Sequence, residues 1–188
     1  PRPLADPCCG SGTIAIEAAL EATRTAPGLL RSFAAEAWAR SSTPGWREAR
    51  AEARLACRGP QVMGGTRIMA SDRDPVVLQA ARENARRAGV APCIEFTVQP
   101  LEGFRCALSR GCLICNPPYG QRSGELAAAE SLYRRMGEVF AQLPEWSVFV
   151  ITSHPGFEGL YGRRATKNRK LYNGKIRTYL HQYFGPLP

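Results

Sequence analysis

An acidic glycine turn, Asp6-Pro7-Cys8-Cys9-Gly10-Ser11-Gly12-Thr13, constrains this chain more than any other stretch. The stub Leu4-Ala5 before it is apolar, and the run from Ile14 to Ala22 after it is rich in Ala and Glu. That order specifies a strand, a tight turn free of bulky side chains, and a helix, which together begin an open α/β sheet. Further strands are expected at 67–71, 94–98, 111–115 and 146–152, with helices at 75–88 and 124–143 between them. Gly111 to Cys115 is short and apolar throughout, as a buried parallel strand is. On the last helix Leu126, Leu132, Met136, Val139 and Phe140 recur near helical spacing and form its expected core face. Lys170-Leu171-Tyr172 and a run from Ile176 to Phe184 flank Asn173-Gly174, a strong hairpin signal. The fold class is therefore α/β, a doubly wound and mostly parallel sheet with a C-terminal antiparallel hairpin.

Residues 27–64 interrupt the alternation. They hold Pro27, Gly28, Pro44 and Gly45 with Phe33, Trp38 and Trp46, and two short helices are expected near 31–40 and 46–57. We read them as an insertion that leaves the sheet between the first helix and the second strand. The whole of 1–188 then forms one domain, long enough to bury a core without disulfides. Pro1 sits so close to the first motif that a longer parent chain is expected.

Seven cysteines and two histidines do not make a metal site. Cys112 and Cys115 form a lone C-x-x-C inside an apolar run, without a second ligand pair at metal spacing. They read as thiols in a strand, so no metal and a reducing cytoplasm are expected. No apolar run approaches the roughly 20 residues of a membrane span. The net charge of +9 is concentrated late, in Arg163, Arg164, Lys167, Arg169, Lys170, Lys175 and Arg177. Such a surface suits a polyanion, although a solvated basic face has the same composition.

The glycine turn limits the ligand. Gly10 and Gly12 allow close approach, while Ser11, Thr13 and the helix N-terminus supply donors. Asp6 at the strand end would repel a phosphate and attract a cationic amine, and no P-loop Lys follows the glycines. A cofactor that carries an amino acid fits better than a dinucleotide. Asp72, ending the second strand, is placed to accept ribose hydroxyls beside Arg73, while Asp74 before Pro75 reads as a helix N-cap.

Asn116-Pro117-Pro118-Tyr119 leaves the carboxyl end of the fourth strand, where open sheets bind ligands. The Asn116 side-chain oxygen and the Pro117 carbonyl can accept hydrogen bonds from a planar amine, and Pro117 and Pro118 stiffen the loop. Tyr119 offers a π face for an extruded base. Together the two motifs read as a methyl-transfer site, with S-adenosylmethionine as donor and a base amine as acceptor. The cofactor side comprises Asp6, Cys8, Cys9, Gly10, Ser11, Gly12, Thr13, Asp72 and Arg73.

These motifs, with Gly120-Gln121-Arg122, Ala26-Pro27-Gly28, Arg31-Ser32-Phe33 and Lys170-Leu171-Tyr172-Asn173-Gly174-Lys175-Ile176, resemble the catalytic domain of a bacterial rRNA methyltransferase family. The resemblance implies a Rossmann-like class I methyltransferase that acts on the N2 amine of a guanine in large-subunit rRNA. It also implies an upstream THUMP module that binds RNA, and no obligate protein partner is evident. Members were often labelled N6-adenine-specific DNA methylases. Related enzymes place an Asp after the third strand to meet the cofactor's adenine amine. Here Val98-Gln99-Pro100-Leu101-Glu102 has none, and Glu102 or a backbone carbonyl is the expected substitute. The alternatives are an N6-adenine methyltransferase on DNA or RNA, a protein glutamine methyltransferase, and a non-catalytic RNA-binding module.

Overall fold

The computed structural model describes residues 2–38, 43–60, 67–120 and 124–186. Gln121 and Arg122 of the loop motif, and residues 39–42 and 61–64 of the insertion, lie outside them. A single seven-stranded sheet organises the chain, built from β1 (Leu4–Asp6), β2 (Ile68–Asp72), β3 (Ile94–Val98), β4 (Gly111–Cys115), β5 (Trp146–Thr152), β6 (Lys167–Asn173) and β7 (Ile176–Tyr183). Its order is β3-β2-β1-β4-β5-β7-β6. The first five strands run parallel, and β7 is antiparallel to both β5 and β6.

Strand order reverses between β1 and β4. Leu4 pairs with Ile68 on one side and with Cys112 on the other, so the ends of β1 and β4 lie side by side. A crevice opens at such a switch point. Here it brings Asp6 and Asn116, distant in sequence, to one rim.

Helices α1 (Thr13–Ala22) and α3 (Pro75–Arg87) cover one face, and α4 (Leu126–Phe140) and α5 (Phe157–Tyr161) cover the other. The strict alternation of β5 turns Trp146, Val148, Val150 and Thr152 inward, where the first three join Met136, Val139 and Phe140 of α4 in one cluster. Full burial of each such apolar side chain contributes about 1.5–3 kcal/mol. Helix α3 starts as expected: the Asp74 carboxylate accepts from the Val76 and Val77 N–H groups, with Pro75 at the first helical position.

Two expectations are corrected, and one element is new. Leu126, assigned to the core face of α4, is 49 % exposed because the helix only begins there, and Ala129 and Tyr133 are buried instead. The hairpin tip is Gly174-Lys175, since Asn173 still pairs with Ile176; Gly174 takes φ 61° at the first loop position. Helix α5 was not expected at all. Between α1 and β2 the described residues form a short 3-10 turn (Ala34–Ala37) followed by α2 (Thr43–Ala56). Phe33 stacks on Trp46 at 5.7 Å, and Arg50 ties Leu29 and Arg31 carbonyls to Glu36. Cys115 is buried and Cys112 half-buried within β4, and all seven cysteines are free thiols. Among the described residues no group of His, Cys, Asp and Glu is placed to hold a metal, and no helix is long and apolar enough to cross a membrane.

Candidate active site

The glycine turn is tied to the end of β2. Gly10 and Gly12 take φ values of 53° and 86°, a backbone shape that L side chains rarely adopt. The Gly10 N–H donates to Asp72 Oδ2 and the Asp74 N–H to Asp72 Oδ1, both at 3.0 Å. Asp72 therefore braces two turns, each carboxylate oxygen retains acceptor capacity, and the residue borders the crevice. The Cys9 N–H donates to the Ser71 carbonyl at 3.0 Å, which closes the same joint.

Asp6 is only 1 % exposed at the end of β1. Burial pushes its carboxyl up to about 7; the Cys8 N–H, 3.2 Å from Oδ1, opposes this and the nearby Asp72 charge adds to it. A carboxyl so poised gains by ionising when a cation arrives. Burial raises the Cys8 and Cys9 thiols as well, so both stay neutral.

The loop after β4 is held from behind. The Tyr133 hydroxyl, fully buried in α4, donates to the Pro118 carbonyl at 2.7 Å and lies 3.0 Å from Thr152 Oγ1, which accepts from the His154 N–H at 3.1 Å. In front, the Tyr119 hydroxyl donates to Asn116 Oδ1 at 2.6 Å. Pro117 is buried, while Asn116 and Pro118 are exposed and Tyr119 is half-buried.

Three adjoining cavities follow the rim. One of about 280 Å³ lies between Cys8, Asp72, Arg73 and Leu101 and the α4 residues Ala128 and Leu132, with walls suited to a flat ring. A second of about 340 Å³ joins Gly10 and Asp72 to Asn116, Pro118 and Tyr119. The third, about 520 Å³, extends from Asp6, Ser11 and Thr13 past Asn116 and Tyr119 to the hairpin. Cys8 borders all three. A Cβ on Gly10 would project into open space, so the turn presents bare backbone to this crevice. A donor with a flat adenosine, vicinal ribose hydroxyls and a cationic amine fits this sequence of walls, hydroxyl acceptor and buried carboxyl.

Sequence reasoning located the turn and the loop but missed Leu101 and α4 as walls, and the hairpin as part of the site. Glu102 is not among the residues lining the smallest cavity; it is exposed and ion-paired with Arg135 at 3.7 Å. Leu101, next to it, lines that cavity instead.

Sheet order and crevice define a Rossmann-like methyltransferase, a class whose methyl donor is S-adenosylmethionine. The chain belongs to the RMKL-like methyltransferase domain family, whose model matches residues 1–182. It is 45 % identical over 183 residues to YpsC of Bacillus subtilis (strain 168), provisionally named an RNA methyltransferase, covering 97 % of this chain and 47 % of that protein. It is 38 % identical over 180 residues to the Ribosomal RNA large subunit methyltransferase K/L of Legionella pneumophila (strain Paris), covering 95 % of this chain and 25 % of that one. The crystal structure of SMU.472, provisionally named a methyltransferase and complexed with SAH, superposes with a TM-score of 0.91 at 38 % identity, over 100 % of this chain and 49 % of the other. The chain thus spans half or less of the length of these relatives.

Proposed function

We propose that this domain transfers a methyl group to the exocyclic N2 amine of a guanine in large-subunit rRNA. The observation that carries the reading is the convergence of Asn116, Tyr119 and the buried Asp6 on one cavity. S-adenosylmethionine, when bound, supplies an electrophilic methyl on a sulfonium. In the reaction a new N–C bond forms, the S–C bond breaks, and the amine then releases a proton to solvent.

The residues of this chain prepare the acceptor. Asn116 Oδ1 and the Pro117 carbonyl accept the two amine hydrogens, which draws the nitrogen out of conjugation and aims its lone pair. Tyr119 supplies the face on which the extruded base rests. No strong base is required, because the amine becomes acidic once methylated. Asp6 would hold the donor's amino group and Asp72 its ribose, both on the cavities that Asn116 and Tyr119 also line.

The acceptor as RNA is supported by the names of the relatives and by the basic hairpin at the rim. Guanine N2 as the target rests on the family resemblance of the loop and hairpin motifs. Seven free thiols accord with a reducing cytoplasm as the place of action.

The test is transfer of labelled methyl to transcribed, unmodified large-subunit rRNA, followed by nucleoside analysis. N2-methylguanosine is the expected product. N6-methyladenosine would replace the guanine reading with an adenine one. Transfer to DNA or to a protein glutamine, with none to RNA, would overturn the acceptor class.

A further inference from the structure

The chemistry at Asn116 makes no use of the β6–β7 hairpin, yet the hairpin reaches the site. Asn173 lines both cavities that contain Asn116 and Tyr119, and Leu171 and Tyr172 line the larger one. Pairing register sorts the remaining side chains: Tyr172 lies opposite Arg177, and Lys170 opposite Tyr179. Because successive strand residues alternate in direction, these four share one face.

Each aromatic ring on that face carries a cation. The Lys170 ammonium stands 5.4 Å from the centre of the Tyr172 ring, and the Arg177 guanidinium 6.0 Å from that of Tyr179. Tyr172 is 65 % exposed, too open to serve the core. No Asp or Glu follows Glu158 in the sequence, so the cations of this hairpin face no carboxylate on either strand. Rings interleaved with uncompensated cations on an open strand pair complement a single nucleic-acid strand: bases stack on the rings and phosphates meet the cations. A duplex hides its base faces and leaves the rings without a role.

We propose that this face binds the single-stranded RNA flanking the target base, with Tyr172 stacking a neighbouring base and Lys170 and Arg177 holding phosphates. The proposal rests on the RNA reading above and extends it to the shape of the substrate: an unpaired segment, with Tyr172, which borders the larger cavity, at its junction with the acceptor site.

The probe is a fluorescein-labelled single-stranded oligouridylate, titrated by anisotropy with this chain and its variants across a salt series. Tyr172→Ala should weaken binding about tenfold, within the range for loss of one base stack, and Tyr172→Phe should restore it. Lys170→Gln and Arg177→Gln should each make the logarithmic salt dependence shallower by about 0.7. S-adenosylhomocysteine affinity should stay at the wild-type value in all of them, which excludes misfolding. Equal oligouridylate affinity in Tyr172→Ala and wild type, or no binding by wild type, overturns the platform. Methyl transfer to rRNA by the wild-type chain distinguishes the two ideas: transfer together with an unaffected Tyr172→Ala removes the platform alone. Oligouridylate binding lost in Tyr172→Ala, without transfer to any RNA, removes the methyl-acceptor reading and keeps the platform.

Discussion

The Tyr119 hydroxyl donates to Asn116 Oδ1 at 2.6 Å, so the phenol fixes the carboxamide that we propose receives the acceptor amine. An amide oxygen has two lone pairs, and the second remains for the base. Ring and hydroxyl of Tyr119 thus have separable roles. Asn116→Ala should lower kcat by about a hundredfold or more, on the scale of losing one preorganised transition-state contact, with S-adenosylhomocysteine affinity unchanged. Tyr119→Phe keeps the stacking face and should cost about tenfold in kcat with little change in RNA affinity; Tyr119→Ala should lose both. Steady-state transfer assays beside calorimetric titration check this. Wild-type turnover by Asn116→Ala would remove the residue from the chemistry.

Asp72 has a structural duty as well as its proposed ligand duty. Asp72→Ala leaves the Gly10 and Asp74 N–H groups without their acceptor, at a cost of about 1–3 kcal/mol. For a domain of this size each kcal/mol lowers Tm by about 2–4 °C. Cofactor affinity should fall at least about tenfold, the value of one charge-assisted hydrogen bond. Asp72→Asn retains one acceptor oxygen and should recover much of the Tm but less of the affinity. An unchanged dissociation constant in Asp72→Ala would exclude it as the ribose partner; Asp74 is already engaged at the start of α3.

Asp6 makes both stability and binding depend on pH, in opposite directions. Burial raises its carboxyl from 3.8 to about 7, so the folded chain holds a proton there that the unfolded chain has released. The stabilisation from that neutral carboxyl is fully present below pH 3.8 and is lost as pH rises through about 7. A cationic amine binds the ionised form, so S-adenosylhomocysteine affinity should rise from pH 6 toward pH 8, by up to about tenfold per unit below the midpoint. Titrations in buffers of different ionisation enthalpy should show proton release on binding at pH 6. Asp6→Asn should flatten both profiles; a flat profile in the wild type would detach Asp6 from the amine.

Strands β4 and β5 begin and end where their apolar runs do, because both lie inside the sheet, paired along each edge, and neither leaves an exposed side chain. The backbone shapes of the turn and the loop, which carry the candidate site residues, were legible for a different reason: each motif is local, and Gly and Pro fix backbone shape within a few residues. What depended on tertiary contact was not legible. Helix α5 spans five residues, too short to be stable alone, and forms only because Phe157 and Tyr161 pack against α4 and β7. Gly137 looks like a weak point in α4 until α5 is in place. A Cβ there would lie 2.1 Å from the Tyr161 carbonyl oxygen, so the glycine permits the two helices to touch. Leu101 as a wall of the crevice, and Asp72 as the brace of Gly10, likewise follow from which strands adjoin.

Tyr133 shows how that tertiary layer reaches the chemistry. Its hydroxyl has one proton, given to the Pro118 carbonyl, so the Thr152 hydroxyl must donate to it in turn, and Thr152 Oγ1 accepts from the His154 N–H. The bonds run in one direction from the loop after β5 to the loop after β4, and they hold Pro118 against the core. Tyr133→Phe keeps the buried ring but leaves that carbonyl without its donor and the Thr152 hydroxyl proton without its acceptor. We expect a stability loss of about 1–3 kcal/mol, and a fall in kcat with S-adenosylhomocysteine affinity unaltered. Thr152→Val should have a related effect, and the double variant should cost less than the sum of the two, by about 0.5 kcal/mol or more, because both act on one chain of bonds. Denaturant unfolding and transfer kinetics on the four proteins of this cycle measure the coupling. Additive losses with unchanged kcat would make Tyr133 a packing residue with no part in positioning the loop.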